Sequence, residues 1–132
     1  MNDKEAMSFV ERLVKQNIKY KLEPPFSLEE GFNCYSWVMF IRNQITNELN
    51  ELYRTFENFR ALREEYVKTD INKPQYLDMP LFYLDTMGVR HIGIMLNDSL
   101  FTQCATSTNG VSINDINKQP WNRLLRGIYR HK

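Results

Sequence analysis

The chain has 132 residues, of which 42% are hydrophobic and 25% charged, with a formal charge of +1. This length suits one domain with a single core, read as residues 1–132. The near-neutral balance excludes a general field for steering nucleic acid or a membrane surface, so any partner has to be recognised by a site.

The opening "MNDKEAMSFVERLVKQ" is charged and helical in period, which fits neither a signal peptide nor a membrane span. Synthesis and retention in a cytosol, without a signal peptide, is the expectation that follows. Met7, Val10, Leu13, Val14 and Ile18 recur at helical steps, so the first element is an amphipathic helix ending before "KYKLEPPFSLEEG". Pro24 and Pro25 make the next segment an extended loop.

A second helical pattern starts after Asn33, with Trp37, Ile41, Ile45, Leu49, Leu52, Phe56 and Phe59 at three- and four-residue spacing. It predicts one long helix, or two with a bend near Thr46 and Asn47. The Trp37, Ile41 and Ile45 stripe belongs to the core, and the charges of "ENFRALREEYVK" to a solvated helix face. After "KTDINKPQ" the period changes. "MPLFYLD", "VRHIGIML", "LFTQCAT", "VSIND" and "LRGIYRH" are short runs rich in β-branched and aromatic residues, bounded by Asn, Asp, Gly and Ser. Helices followed by strands predict an α+β domain, with the N-terminal helices packed on one face of a C-terminal antiparallel sheet of about five strands.

Cys34 and Cys104 are too few for a disulfide framework. With His91 and His131 as the only histidines, a zinc site lacks ligands at recognisable spacing. Reduced thiols, no metal and no other cofactor are expected. Asn33 is a favourable helix N-cap, which sets Cys34 in the first turn, where unpaired N–H groups and the helix dipole favour a thiolate. Such a position, with help from a histidine, can lower a thiol from roughly 8.5 to about 3.5–7.5.

His91 lies on a strand whose alternation puts Val89, His91 and Gly93 on one face. If "NDS" is a three-residue hairpin loop, Leu96 faces Leu100, Gly93 faces Gln103 and His91 faces Ala105. Gln103 is then the diagonal neighbour of His91 across the bare surface of Gly93 and can accept a hydrogen bond from its ring. Cys104 points away into the core. A two-residue loop would instead set Cys104 opposite His91. Trp121 closes the core or walls a groove, and His131 is a tail residue.

These residues resemble the NlpC family of papain-like cysteine peptidases, which cut cell-wall peptides. Members carry a GFDCSGF-like helix start, a strand like HVGIYLG, then FIHA, and a tryptophan segment ending in an Arg-rich strand. Here "GFNCYSWV", "RHIGIMLND", "LFTQCA" and "PWNRLLRGIYR" occur in that order, and the spacing from His91 to Gln103 agrees with the family's. The resemblance covers about residues 5–48 and 76–131, leaving a helical insertion or extension at about 49–70. Asn33 stands where the family has aspartate, Ser36 where glycine is common, and Gln103 where histidine is usual.

The resemblance implies a papain-like fold and a Cys34–His91–Gln103 triad. Oxyanion stabilisation would come from the Cys34 backbone N–H and the Tyr20 hydroxyl. The implied substrate is a peptidoglycan stem peptide, cut at a D-glutamyl–diamino acid bond. A short member without a wall-binding module is similar to those of phage tails, so a virion tail and tail proteins are the expected setting and partners. An alternative from another class is a catalytically inactive binding or tail-assembly module on the same fold. Acyl transfer on lipids, as in circularly permuted relatives, ranks last because those place histidine before cysteine.

Overall fold

The computed structural model describes residues 1–53, 55–84 and 90–132, and within the third helix the side chains of residues 56, 58 and 59 lie outside the description. Helix α1 (Asp3–Val14) starts in a capping box: the Glu5 N–H donates to the Asn2 side chain (2.8 Å), and the Asn2 N–H donates to the Glu5 carboxylate (3.2 Å). Its apolar stripe buries Ala6, Val10 and Leu13. The chain then passes Tyr20, which bridges in parallel to Phe32, before the long loop returns.

Gly31 makes that return possible. It sits at φ +112°, and a Cβ there would lie 2.4 Å from the Lys19 carbonyl oxygen. Phe32 N–H in turn donates to that carbonyl at 3.1 Å, which locks the segment leading into α2 (Cys34–Thr46). Helix α2 buries Trp37, Val38, Met39, Ile41 and Ile45 and is the central pillar of the larger core. It stops because Asn47 adopts the left-handed conformation, φ 59°.

Of the two helical alternatives, the chain therefore takes the broken one. Leu49 leaves the stripe altogether and is 98% exposed. The helical reading of about 49–70 needs a further correction. Helix α3 occupies only Phe56–Glu65, and Tyr66–Thr69 is a strand, β1. Tyr66 explains the switch: its ring is buried beneath the Arg42 guanidinium, 5.5 Å from the ring centre, and its backbone pairs with the end of the last strand. Phe56, Phe59 and Val89, which the sequence pattern assigned to these faces, lie outside the described side chains.

The five apolar runs become β2 (Met79–Tyr83), β3 (Arg90–Ile92) with β4 (Ile94–Met95), β5 (Leu100–Ala105), β6 (Gly110–Asp115) and β7 (Leu125–His131), the last preceded by a short helix α4 (Trp121–Leu124). They do not form one sheet of about five strands. Among the described residues there are seven strands in two antiparallel sheets, β1-β7-β2-β3 and β4-β5-β6. The division falls at Gly93, between β3 and β4. A Cβ on Gly93 would meet the Phe101 ring at 2.7 Å and the Thr102 carbonyl at 2.9 Å, so the strand changes sheet where one backbone must press against another.

The Arg-rich end of the chain is anchored by a bidentate pair. Arg130 Nε and Nη2 each donate to the Asp78 carboxylate at 2.8 Å, with Asp78 only 1% exposed. This ties β7 to the segment entering β2. Around Phe82, Met95, Phe101, Trp121 and Ile128 a second, smaller core forms.

Gly93→Ala is expected to lower the urea unfolding free energy by about 1–3 kcal/mol through overpacking. Gly127→Ala is the control: its Cβ would meet flexible side-chain ends, Tyr129 Cε2 at 3.2 Å and Lys68 Cε at 3.3 Å. Equal small losses at both positions would contradict the close approach at Gly93.

Candidate active site

Cys34 is the first residue of α2, and the cap that presents it uses both of the unusual neighbours. Ser36 N–H donates to Asn33 Oδ1 at 2.8 Å, while Asn33 N–H donates to Ser36 Oγ at 2.9 Å, a reciprocal capping box. A glycine at position 36 has no hydroxyl to complete it. Asn33 Nδ2 also donates to the Leu22 carbonyl at 3.1 Å, a bond an aspartate cannot make. The departures at 33 and 36 are thus one device that fixes the helix start and holds the preceding loop. Cys34 is half-buried and opens onto a cleft of about 610 Å³ whose walls include Tyr35, Tyr66, Met79, Leu81 and Ile92.

His91, on β3, is 3% exposed, and its Nε2 lies 2.6 Å from Gln103 Oε1 on β5. The donor and acceptor can be assigned from the network. Gln103 Nε2 donates to Asn114 Oδ1 at 2.8 Å, so the amide turns its carbonyl oxygen to the histidine, which then carries its proton on Nε2. Asn114 Oδ1 accepts a second bond from Ser112 Oγ at 2.6 Å. The imidazole lies stacked with the Trp121 ring, centres 6.2 Å apart, with Phe82 at 6.0 Å. Burial among these groups pushes the His91 pKa below its ordinary value, and the Gln103 hydrogen bond works against that shift.

The hairpin has the three-residue loop. Ile94 pairs with Thr102 and Met95 with Phe101, and Leu96 N–H donates to the Leu100 carbonyl at 2.8 Å. The pairing of His91 with Ala105 does not form, because the strand has already crossed at Gly93 and His91 faces Phe82 instead. Cys104 faces away from the histidine. Its thiol donates to the Phe32 carbonyl at 3.1 Å, and burial, with the charge of Cys34 adding to it, pushes its pKa up to about 12. Tyr20 lies within electrostatic range of both sulfurs: burial first, then Cys34 and Cys104, raise its pKa. His131 is a tail residue, 43% exposed and 3.8 Å from Glu65.

The structure therefore brings His91 and Gln103 into direct contact and packs the helix that begins with Cys34 across both of their strands. The positioning partners Asn114 and Ser112 escaped the sequence reading. Their only signal is a pair of polar residues two apart on a strand, which acquires meaning once Gln103 is seen to pair with Ser112.

No family sequence model matches the chain, and no curated protein does. Solved structures do. The NlpC/p60 domain of the peptidoglycan hydrolase SagA superposes with a TM-score of 0.62 at 15% identity, over 95% of this chain and 97% of that domain. This chain has the NlpC/P60 fold. An NLP/P60 family protein similar to lipoprotein from Staphylococcus aureus gives 0.56 at 17% identity over 94% of this chain. An NlpC/P60 family protein from Bacillus cereus gives 0.53 at 18% identity over 76% of this chain. The chain spans 41% of the staphylococcal protein and 32% of the Bacillus one. The α+β, papain-like architecture expected from the motifs is thus the architecture of the chain.

Three outcomes follow for the NlpC/P60 fold in this sequence. Iodoacetamide at about pH 8 should label Cys34 and spare Cys104 in the folded protein, with both labelled in urea, as read by peptide mass mapping. Because the folded Cys104 pKa of about 12 exceeds the unfolded thiol's roughly 8.5, its stabilising contribution is whole below that lower value and is lost as pH rises through the higher one. Cys104→Ala should flatten that alkaline decline, and rapid labelling of Cys104 in the native state would contradict its seat. Asn114→Ala strands Gln103 Nε2 and should cost about 1–3 kcal/mol in urea unfolding. A loss near zero would remove Asn114 from the network.

Proposed function

We propose that the chain is a cysteine peptidase that hydrolyses an amide bond in peptidoglycan stem peptides, of the D-glutamyl–diamino acid type. The observation that carries this reading is the buried 2.6 Å bond from His91 Nε2 to Gln103 Oε1, in an NlpC/P60 fold whose α2 opens with Cys34 on a cleft. A glutamine that accepts a hydrogen bond from Nε2–H leaves Nδ1 as the basic nitrogen, free to take a proton from a thiol nucleophile.

In this mechanism the Cys34 sulfur attacks the amide carbonyl and His91 Nδ1 takes the thiol proton. The oxyanion is met by the Cys34 backbone N–H at the helix N-terminus and by the Tyr20 hydroxyl. His91 returns the proton to the leaving amine. Water then attacks the acyl-enzyme, with His91 again as base, and frees the thiol. Gln103 touches no substrate atom; it holds the imidazole in one tautomer and one orientation throughout.

Incubating the purified chain with defined muropeptides and reading products by mass tests the reading. Cys34→Ala should abolish cleavage with the fold intact, and Gln103→Ala should lower turnover by about one to three orders of magnitude. Gln103→His should retain much of the activity. Cleavage that survives Cys34→Ala would overturn the assignment. Muropeptide binding with no cleavage by the unaltered chain would assign a binding module instead.

A further inference from the structure

A glutamine differs from a carboxylate as the partner of a histidine, because its amide is an acceptor on one side and a donor on the other. The contact at Gln103 therefore has two possible senses. In the sense observed, Gln103 Oε1 accepts from His91 Nε2 at 2.6 Å, Gln103 Nε2 donates to Asn114 Oδ1 at 2.8 Å, and Ser112 Oγ donates to the same oxygen at 2.6 Å. Turning both amides over reverses this chain without losing a bond. Asn114 Nδ2 would then donate to Ser112 Oγ and Gln103 Oε1, and Gln103 Nε2 would donate to a bare His91 Nε2, which drives the ring proton to Nδ1. The number of hydrogen bonds does not choose between the senses. The choice is made by which atom of the Asn114 amide faces Gln103. Asn114 and Ser112 alternate along β6, and Ser112 pairs with Gln103, so the three side chains share one face of the β5–β6 ladder. Neither Asn114 nor Ser112 is among the described residues that line the cleft.

We infer that Asn114, held by Ser112, is a positioning residue for the reaction: the side-chain oxygen it turns to Gln103 sets the direction of the whole chain and keeps His91 Nδ1 free to take a proton from Cys34. The inference rests on the peptidase reading for the use made of Nδ1, whereas the tautomer itself does not depend on catalysis. Asn114 acts through Gln103 and never meets the substrate. Molecules holding the wrong tautomer drop out of turnover but still bind, so loss of Asn114 should lower kcat and leave KM nearly unchanged.

Asn114→Asp is the decisive variant. A carboxylate at position 114 only accepts, so the reversed sense is closed to it. A purely structural role would make a charge at this half-buried position at least as damaging as Asn114→Ala. Nitrogen-15 NMR of His91 at about pH 7.5, in full-length chains that also carry Cys34→Ala, should show a mixture of tautomers with Asn114→Ala and one Nε2–H tautomer with Asn114→Asp. Ser112→Ala frees the Asn114 amide to turn and should also give a mixture, so the comparison stands even where thermal melts show that Asn114→Ala does not fold. With Cys34 in place and a defined muropeptide as substrate, Asn114→Ala should lower kcat about tenfold with KM within about twofold, and Asn114→Asp should recover most of that loss. A single Nε2–H tautomer in the alanine variants, or an Asn114→Asp chain that is unfolded or shows a mixture, overturns the inference. Tautomers that shift as expected in a chain that cleaves nothing would sink the peptidase and spare the role of Asn114. Cys34-dependent cleavage whose kcat is unmoved by Asn114→Ala would do the reverse.

Discussion

A histidine ring sealed from water has to place its N–H on an acceptor, and in this molecule the acceptor is the side-chain oxygen of Gln103 at 2.6 Å. An unpaired donor in that setting would cost about 1–3 kcal/mol, so the bond decides the orientation of the ring as well as its tautomer. Much of the surrounding architecture can be understood as what this contact requires. Trp121 and Phe82 close over the imidazole. Asn114, itself held by Ser112, prevents the Gln103 amide from turning its NH₂ group to the histidine. The chain passes from β3, paired with β2, to β4, paired with β5, at Gly93, so the side chains of His91 and Gln103 meet where the two sheets divide.

The helix carrying Cys34 answers a second constraint, that of beginning at a defined residue. Asn33 and Ser36 satisfy each other's backbone N–H groups, and the spare amide donor of Asn33 fastens the loop at Leu22. Beneath this start, the Cys104 thiol donates a hydrogen bond to the Phe32 carbonyl and stays protonated. Two cysteines in one small domain are thereby assigned opposite surroundings: Cys34 half-buried at a cleft, Cys104 sealed in the core. Glutamine at position 103 follows the same economy of charge. It supplies an acceptor without adding a second titrating ring to a buried cluster.

What could be read from the sequence is what local chemistry determines. The stripe of α1, the Asn33 cap, the five strand runs and the loop of Asn97, Asp98 and Ser99 each follow from residues close in the chain. The contact between His91 and Gln103 is as that loop predicts, although the two residues lie on different sheets and share no ladder face. The sheet division at Gly93 did not, because a glycine inside a strand pattern signals a close approach without naming the partner. Tyr66–Thr69 reads as helix because the charged run before it keeps helical spacing, whereas its strand pairing is made with residues at the far end of the chain. Asn114 was invisible for the same reason. Its role exists only through the register of β5 with β6.

The tautomer of His91 is the most direct test of this arrangement. Nitrogen-15 NMR of the imidazole in the Cys34→Ala chain, at about pH 7.5, reads it without interference from a thiolate–imidazolium pair. The expected result is a proton on Nε2 and none on Nδ1, with the single tautomer giving way to a mixture in Gln103→Ala. A proton on Nδ1, or a mixture already present with Gln103 in place, would contradict the claim that Gln103 holds the histidine ready to act as a base.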